Sequence, residues 1–275
     1  MYIKKFNEIS KSDVKIVGGK GASLGEMTKA GIPVPIGFVI TVNTFKEFQN
    51  QEFPIEIRDQ ILDAFDNLGA ERVAVRSSAI AEDSSSASWA GQLESYLNTT
   101  KDDLIENIRK CWGSIKSERS LAYAAEQDVP EDQLLVAVVV QKMVDSEVSG
   151  VIFSVNPISK NKEEIMIEAG YGLGEMIVQG MITPDNFIVD KKTFEITDKT
   201  IESQDMMLIF KDGKNQEVEV PKGKGDKQCI ADKYVFELAR LAVKIENHYG
   251  FPCDIEWAKE DENLFIVQSR PITTL

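Results

Sequence analysis

The chain has 275 residues, of which 43% are hydrophobic and 28% charged, a composition that is typical of a globular protein and excludes a disordered or collagen-like chain. Its 31 Lys and Arg residues against 45 Asp and Glu residues give a formal net charge of −14, which disfavours binding to nucleic acids and to anionic membrane surfaces. A chain of this length can form one large domain or two smaller ones, and we expect two lobes.

The cysteines and the N-terminal segment indicate a soluble cytoplasmic protein. Cys111, Cys229 and Cys253 are widely spaced and form neither a disulfide framework nor a CxxC metal pair. The segment MYIKKFNEIS carries charges where a signal peptide needs an apolar stretch. The longest aliphatic run, LLVAVVV at 134–140, is far shorter than the roughly 20 residues of a membrane-spanning helix. We therefore expect neither an export signal nor a membrane span.

Before residue 130 the sequence mixes helices and strands. Apolar residues at helical spacing and short β-branched runs alternate here, and turn-forming residues separate them. The predicted elements are, in chain order, a glycine-rich turn at 17–21, a short helix ending at Gly31, a strand at 36–42, a helix from Pro54 to Gly69, a strand at 72–78, a Ser-rich loop at 79–92 and a helix from Leu104 to Ile115.

After Pro130 the pattern changes mainly to strands. A division near this proline predicts an N-terminal lobe at 1–133 and a C-terminal lobe at 134–275. The elements predicted in the second lobe are strands at 134–144, 148–155, 163–169 and 186–190, an exposed antiparallel segment at 191–227, a helix at about 230–248 that stops at Gly250, and a closing hairpin. No internal repeat of solenoid length is present.

The closing hairpin consists of the alternating runs CDIEWAK and LFIVQSR, which a short polar turn separates. If the hairpin is symmetric about residue 262, Glu256 lies opposite Gln268. Arg270 then lies on the same face, beside Asp254. One surface of the sheet is therefore predicted to carry a carboxylate, an amide oxygen and a guanidinium.

This set of side chains suits a metal bound to phosphates. Mg²⁺ prefers hard oxygen ligands, and it usually takes one or two protein groups and fills its other sites from phosphates and water. A nearby arginine can bind a phosphate through two hydrogen bonds. On the spacing alone, an exposed hairpin with scattered polar residues is the more common explanation.

Three other segments contain candidate ligand-binding residues. Lys20 lies between glycines before a helix, where N–H groups and the helix dipole favour a phosphate, and Arg76 ends a predicted strand. In QKMV at 141–144, backbone groups suit a purine edge and Met143 suits its ring face. Each segment also has a purely structural explanation as a turn, a solvated arginine or a core strand. The sequence has neither a Walker A motif nor a strand-initiated GxGxxG, which argues against a P-loop or dinucleotide-binding fold.

Taken together, the segments resemble a known family. VGGKGASLGEM, GIPVPIGFVIT, VAVRSSAIAEDSSSASWAGQ, VVVQKMV with VSGVIFSVNP, EAGYGLGE with TPDNF, and DIEW with VQSRP occur in this order between about residues 6 and 272. The same order is found in the nucleotide-binding domain of pyruvate phosphate dikinase, phosphoenolpyruvate synthase and rifampin phosphotransferase. Each motif is weak alone, but the ordered set is specific.

The resemblance implies an α+β fold of the ATP-grasp type, in which two lobes close on ATP. It also implies roles for individual residues. These are Lys20 and Arg76 as phosphate-binding cations, Gln141, Met143 and Val144 as the adenine hinge, Glu147 as the ribose acceptor, Glu256 and Gln268 as Mg²⁺ ligands, Arg270 as a phosphate clamp, and Gly91 within a lid loop around Ser88 to Gln92.

The chain also departs from the family. In the family, ATP phosphorylates a histidine on a separate carrier domain, and neither that domain nor the acceptor-binding domain is recognisable here. His248, the only histidine, lies at a predicted helix end, where it caps carbonyls. The resemblance thus implies an Mg²⁺-dependent phosphotransferase module that passes a phosphoryl group to a carrier histidine elsewhere. The alternatives are a direct small-molecule kinase and a nucleotide-binding regulatory subunit without turnover.

Overall fold

The computed structural model describes residues 1–80, 93–130 and 134–273, and it divides the chain into two compact units. The first unit comprises Met1–Gly31 with Pro35–Met143, and the second comprises Ile32–Val34 with Val144–Leu275. The division after Met143 lies later in the chain than the predicted one after residue 133. The reason is that the aliphatic strand that begins at Val136 pairs with two strands of the first unit.

The first unit contains an antiparallel sheet, called here the first sheet. Its strands within the described residues are β1 (Ile3–Lys5), β2 (Gly37–Ile40), β3 (Val73–Ala79), β4 (Ser95–Thr99) and β5 (Val136–Lys142), in the order β1-β2-β5-β3-β4. The helices of this unit are α1 (Val14–Lys29), α2 (Val42–Phe48), α3 (Ile55–Asp66), α4 (Leu104–Ser114) and α5 (Glu118–Glu126).

A hydrophobic core lies between the first sheet and the helices α2, α3 and α4. On α4, Ile108 and Trp112 are buried at helical spacing, and the Trp112 ring contacts Phe45 and Phe53 with centroid distances of 5.7 and 5.2 Å. Such aromatic contacts add to the stability gained from burying apolar area. The helix predicted after Pro54 is confirmed, because α3 begins at the next residue.

The second unit contains a larger antiparallel sheet, called here the second sheet. Its described strands are β6 (Val148–Phe153), β7 (Glu164–Tyr171), β8 (Asp185–Asp190), β9 (Ile196–Thr200), β12 (Cys253–Glu260) and β13 (Asn263–Pro271), in the order β13-β12-β6-β7-β8-β9. The other elements are α6 (Glu175–Val178), the separate hairpin of β10 (Met206–Lys211) and β11 (Lys214–Glu219), and α7 (Asp232–Tyr249). The early segment Ile32–Val34 belongs to this unit, where Ile266 N donates to Pro33 O at 2.8 Å.

One face of the second sheet packs against α7 and is called here the helix face. A row of residues in register across four strands, Ile255, Ile152, Ile167 and Phe187, lies on this face, and every member is fully buried. Lys199 lies opposite Phe187 and reaches Asp232 of α7 at 2.7 Å. The opposite surface is called the polar face.

The helix α7 has the predicted end, because Gly250 adopts a left-handed conformation with φ of 80°. Glycine reaches this conformation without the steric penalty of a Cβ atom, which is why it commonly stops helices. None of the described helices is both long and apolar enough to cross a lipid bilayer.

Candidate functional site

The glycine-rich segment with Lys20 is tied to the end of β3. The helix α1 breaks at Gly18, where φ is 71° and a Cβ atom would lie 2.1 Å from the Ser78 carbonyl oxygen. The Ser78 hydroxyl donates to Val17 O at 2.9 Å and accepts from Gly21 N at 3.1 Å. Only glycine allows this close approach at position 18.

This contact brings two predicted phosphate-binding cations into one region of the first unit. Arg76 precedes Ser78 by two residues on β3, where it is half-buried and pairs with Ser95 and Val139. The Lys20 ammonium is near enough to Cys111 to influence its ionisation. Burial of that thiol raises its pKa to about 12, and the Lys20 charge acts in the opposite direction.

The predicted adenine hinge follows β5, and its residues differ in accessibility. Gln141 is 2% exposed, and its side-chain amide donates to Pro35 O at 3.5 Å, so this side chain is used within the fold. Met143 N donates to Arg72 O at 3.1 Å. Among the described residues, the N–H and C=O of Val144 make no backbone hydrogen bond. These two groups are therefore available to a purine edge.

Glu147, the predicted ribose acceptor, has a fixed backbone and an exposed side chain. Its N–H donates to Lys259 O at 3.0 Å, and its C=O accepts from Gly172 N at 2.9 Å. Its carboxylate is 57% exposed and accepts from Lys259 Nζ at 2.9 Å. The glycine-rich segment EAGYGLGE thus supports Glu147 through Gly172.

The predicted register of the closing hairpin is confirmed. Glu256 lies opposite Gln268, and Asp254 lies opposite Arg270. The turn itself is shorter than a symmetric hairpin about residue 262 requires, because Glu260 pairs with Asn263. A β-bulge at Val267, where the register passes from Trp257–Ile266 to Glu256–Gln268, restores the predicted pairing beyond the turn.

Arg270 forms an ion pair on the polar face. Its Nε and Nη2 atoms donate to Asp254 Oδ2 at 2.8 and 2.6 Å. Burial raises the pKa of Asp254, the Arg270 charge lowers it, and the nearby Glu256 charge raises it, with a net upward shift. The negative charge of this region therefore lies in an environment of restricted hydration, where it attracts cations strongly.

Glu168 belongs to the same face but was not among the residues selected from the sequence. It is in register with Glu256 through Val151 of β6, and with Asn186 of β8 on its other side. Burial, followed by the charge of Asp254, raises the pKa of Glu168. The signal in the sequence is the single glutamate within the apolar run IMIEA. That signal becomes specific only once the pairing with β6 is known.

The donor set at the hairpin fits Mg²⁺. Directly opposed residues of an antiparallel pair have Cβ atoms about 5 Å apart, so the Glu256 carboxylate and the Gln268 amide oxygen can share one ion. No group of three or more His, Cys, Asp or Glu side chains suitable for a metal occurs within the described ranges. A site with two protein ligands is nevertheless ordinary for Mg²⁺ when phosphates complete its coordination.

The structure thus groups the predicted residues within each unit. Lys20 and Arg76 are brought together in the first unit, and Glu256, Gln268 and Arg270 share the polar face in the second. Gly91 and the predicted lid around Ser88 to Gln92 lie outside the described residues.

His248 lies in the last turn of α7, as predicted. Its ring contacts Tyr249 edge to face at a centroid distance of 5.3 Å. This position agrees with the structural role expected from the sequence.

The family model described as "Pyruvate phosphate dikinase, AMP/ATP-binding domain" matches residues 14–52 and 46–275, which together cover most of the chain. The chain belongs to this family. Membership confirms the predicted α+β fold class of the ATP-grasp type, and it confirms the resemblance found from the ordered motifs.

Several curated relatives of this chain are phosphoenolpyruvate synthases. The chain is 39% identical to a probable phosphoenolpyruvate synthase of Pyrococcus horikoshii and 38% identical to the phosphoenolpyruvate synthase of Pyrococcus furiosus, with 100% of this chain and 44% of each relative covered. A probable phosphoenolpyruvate synthase of Methanocaldococcus jannaschii is 39% identical, with 27% of its length covered. The chain therefore spans less than half the length of these relatives.

Solved structures with a detectable likeness are more distant. D-alanyl-alanine synthetase A of Vibrio cholerae is 14% identical with a TM-score of 0.42, over 95% of this chain and 56% of that one. The D-alanine–D-alanine ligase of Bacillus anthracis is 8% identical with a TM-score of 0.39, over 96% of this chain and 65% of that one.

Proposed function

We propose that the chain is the ATP-binding module of a dikinase-type phosphotransferase. It binds ATP with Mg²⁺ and donates a phosphoryl group to a histidine on a separate carrier domain or subunit, as in enzymes of the phosphoenolpyruvate synthase and pyruvate phosphate dikinase type. The observation that carries this proposal is the polar face of the closing hairpin, where Glu256 and Gln268 are directly opposed next to Arg270.

The adenosine part of ATP is uncharged, so the protein recognises it through hydrogen bonds and packing. The N–H and C=O of Val144 offer a donor and an acceptor to the purine edge, and the Met143 side chain packs on the ring. The exposed Glu147 carboxylate accepts hydrogen bonds from ribose hydroxyls. A carboxylate acceptor forms stronger hydrogen bonds than a neutral one.

The phosphates require positive charge. Lys20, Arg76 and Arg270 supply it, and Asp254 orients the Arg270 guanidinium through the two hydrogen bonds described above. Glu256 and Gln268 would hold Mg²⁺, which neutralises phosphate charge when bound. In the transfer step, a neutral imidazole nitrogen of the carrier histidine forms a bond to phosphorus. The phosphorus–oxygen bond of ATP breaks, and its electron pair remains on the leaving phosphate oxygen.

The test supplies the chain with ATP labelled in the transferable phosphates, with and without a carrier-histidine domain of the same family. The chain alone should bind ATP, consume little of it, and form no acid-labile, base-stable phosphohistidine on itself. With the carrier domain, label should appear on the carrier histidine. Replacing that histidine in the carrier by asparagine provides the control.

Two results would contradict the proposal. Rapid ATP consumption with a small-molecule acceptor and no carrier would identify a direct kinase. Stoichiometric label on His248 of this chain, lost in the His248→Asn variant, would remove the need for a separate carrier.

A further inference from the structure

Lys259 is a lysine in an unusually buried position. Only 9% of the residue is exposed, although lysine is among the side chains that are least often buried. It lies near the end of β12 on the helix face, where its Nζ atom lies 5.0 Å from the centroid of the Tyr234 ring of α7. Its ammonium also donates to the carbonyl of Asp261 and to Glu147 Oε2. A buried ammonium requires such partners because an unpaired charge is poorly solvated there.

Glu147 is the only carboxylate among these partners of Lys259. Two backbone hydrogen bonds already fix the position of Glu147, one from its N–H to Lys259 O and one from Gly172 N to its C=O. Gly172 is fixed in turn, since its carbonyl accepts from Ser146 at 3.0 Å and from Ser149 at 2.6 Å. With the backbone held, the remaining freedom of Glu147 is in its side-chain torsions, which the ion pair at 2.9 Å restricts.

The ion pair uses one of the two carboxylate oxygens. Within the described part of the chain, the hydrogen bonds of the Glu147 side chain involve Oε2 only, and Oε1 remains available. The side chain is 57% exposed, whereas that of Lys259 is 11% exposed. The buried Lys259 ammonium therefore fixes Oε2 of Glu147, and Oε1 can accept a hydrogen bond from a ligand.

We propose that Lys259 is a positioning residue that makes this chain selective for the ribose hydroxyls of its nucleotide. The inference rests on the proposed function, in which Glu147 accepts hydrogen bonds from those hydroxyls. Lys259 orders the Glu147 side chain before the nucleotide binds, so that less rotamer entropy is lost on binding.

A second lysine provides a matched control. Lys233 lies 4.5 Å from the centroid of the same Tyr234 ring and forms its ion pair with Glu262 at 2.8 Å, not with Glu147. Removing its charge perturbs the same aromatic ring without releasing the proposed ribose acceptor.

The experiment measures the affinities of the full chain for Mg-ATP and for Mg-2′,3′-dideoxy-ATP by calorimetry. The unaltered chain should bind ATP at least about tenfold more tightly than the dideoxy analogue, because the analogue cannot donate to a carboxylate. Lys259→Met should lower this ratio about fivefold and leave the affinity for the analogue unchanged. Lys259→Gln should give the same result and provides a second neutral side chain should methionine fold poorly. Lys233→Met should leave the ratio unchanged.

Coupling between the two residues is tested with Glu147→Ala. This variant should itself lower the ratio, and adding Lys259→Met to it should lower the ratio no further, because both substitutions remove the same interaction. An unchanged ratio in the Lys259 variants, or an equal loss of affinity for both nucleotides, would overturn the role of Lys259. Failure of the unaltered chain to bind ATP at all would instead overturn the proposed function.

Discussion

The two faces of the second sheet use neighbouring residues of the same strands for different purposes. On β7, Ile167 belongs to a row of fully buried side chains beneath α7, and the next residue, Glu168, belongs to a row that contains Glu256 and Gln268. Because side chains alternate along a strand, each residue is confined to one of these environments. The helix face supplies stability, and the polar face supplies the groups suited to a metal and phosphates.

The buried carboxylates of the polar face have an energetic cost. The pKa of Glu168 and the pKa of Asp254 are both raised, mainly by burial, which means that folding disfavours their ionised forms. The Arg270 ion pair offsets part of this cost at Asp254, whereas no ion pair with Glu168 occurs among the described residues, and a fold selected only for stability would not retain such a buried carboxylate. Substitutions on the two faces should therefore separate into effects on activity and effects on stability.

The largest expected effect is that of Glu256→Ala on phosphoryl transfer to the carrier histidine. Loss of a metal ligand at the proposed site should reduce the Mg²⁺-dependent rate by about 100-fold or more, while the thermal unfolding temperature stays close to that of the unaltered chain. Affinity for adenosine should change less, because the proposed purine contacts come from Val144 and not from the hairpin. The rate is measured as label transferred to the carrier at saturating ATP.

Glu260→Ala is the matched control, since it removes another carboxylate of β12, beside the turn, where Glu260 pairs with Asn263. It should transfer phosphate at nearly the normal rate. A normal rate in folded Glu256→Ala would remove Glu256 from the site.

The closing hairpin illustrates how much of the site could be predicted from sequence. Two alternating runs around a polar turn predicted the pairing of Glu256 with Gln268, and the structure confirms it. The bulge at Val267 could not be predicted, although it is what keeps Gln268 on the same face as Glu256. A slip of one residue in the register would have moved Gln268 to the helix face.

Long-range pairing limited the rest of the prediction. The aliphatic run of β5 marks a buried strand, but the sequence does not show that its partners are β2 and β3, which place it in the first unit. Glu168 and Lys259 were missed for the same reason. Their importance depends on residues opposite them in the sheet or far away in the chain, such as Val151 and Glu147.

The second expected effect is that of Ile167→Ala on stability. The Ile167 side chain is fully buried on the helix face, so its truncation leaves a cavity and should lower the free energy of unfolding by about 2–5 kcal/mol. Ile167→Val removes one methylene group and should cost about 1 kcal/mol. Urea denaturation measures both values. The affinity of the folded Ile167→Ala variant for ATP, measured without urea, should remain normal. A loss of ATP affinity without a loss of stability would contradict the assignment of the two faces.

The smallest expected effect is the change that Glu168→Gln makes in the free energy of unfolding. This substitution should stabilise the protein, whereas Ile167→Ala destabilises it. Because burial in the folded protein raises the pKa of Glu168 above its ordinary value of 4.5, the ionised carboxylate destabilises the fold at neutral pH. Its replacement by a neutral amide should raise the free energy of unfolding at pH 7 by less than about 1 kcal/mol, since the group remains partly solvated. The gain should vanish as the pH falls below 4.5, where the carboxyl group is protonated in both states.

Glu164→Gln on the same strand should show the reverse behaviour and so sharpens the test. Hydrogen bonds from Asn161, Ser159 and Asn156 lower the pKa of Glu164, so its ionised form stabilises the fold above the unfolded pKa of 4.5. Its replacement should therefore destabilise the protein at pH 7, and the loss should diminish as the pH falls and the native carboxylate becomes protonated. Urea denaturation at several pH values measures both variants. If both substitutions change the free energy of unfolding in the same direction at pH 7, the effect comes from removing any carboxylate from β7. The destabilisation assigned to the buried, ionised Glu168 would then be wrong.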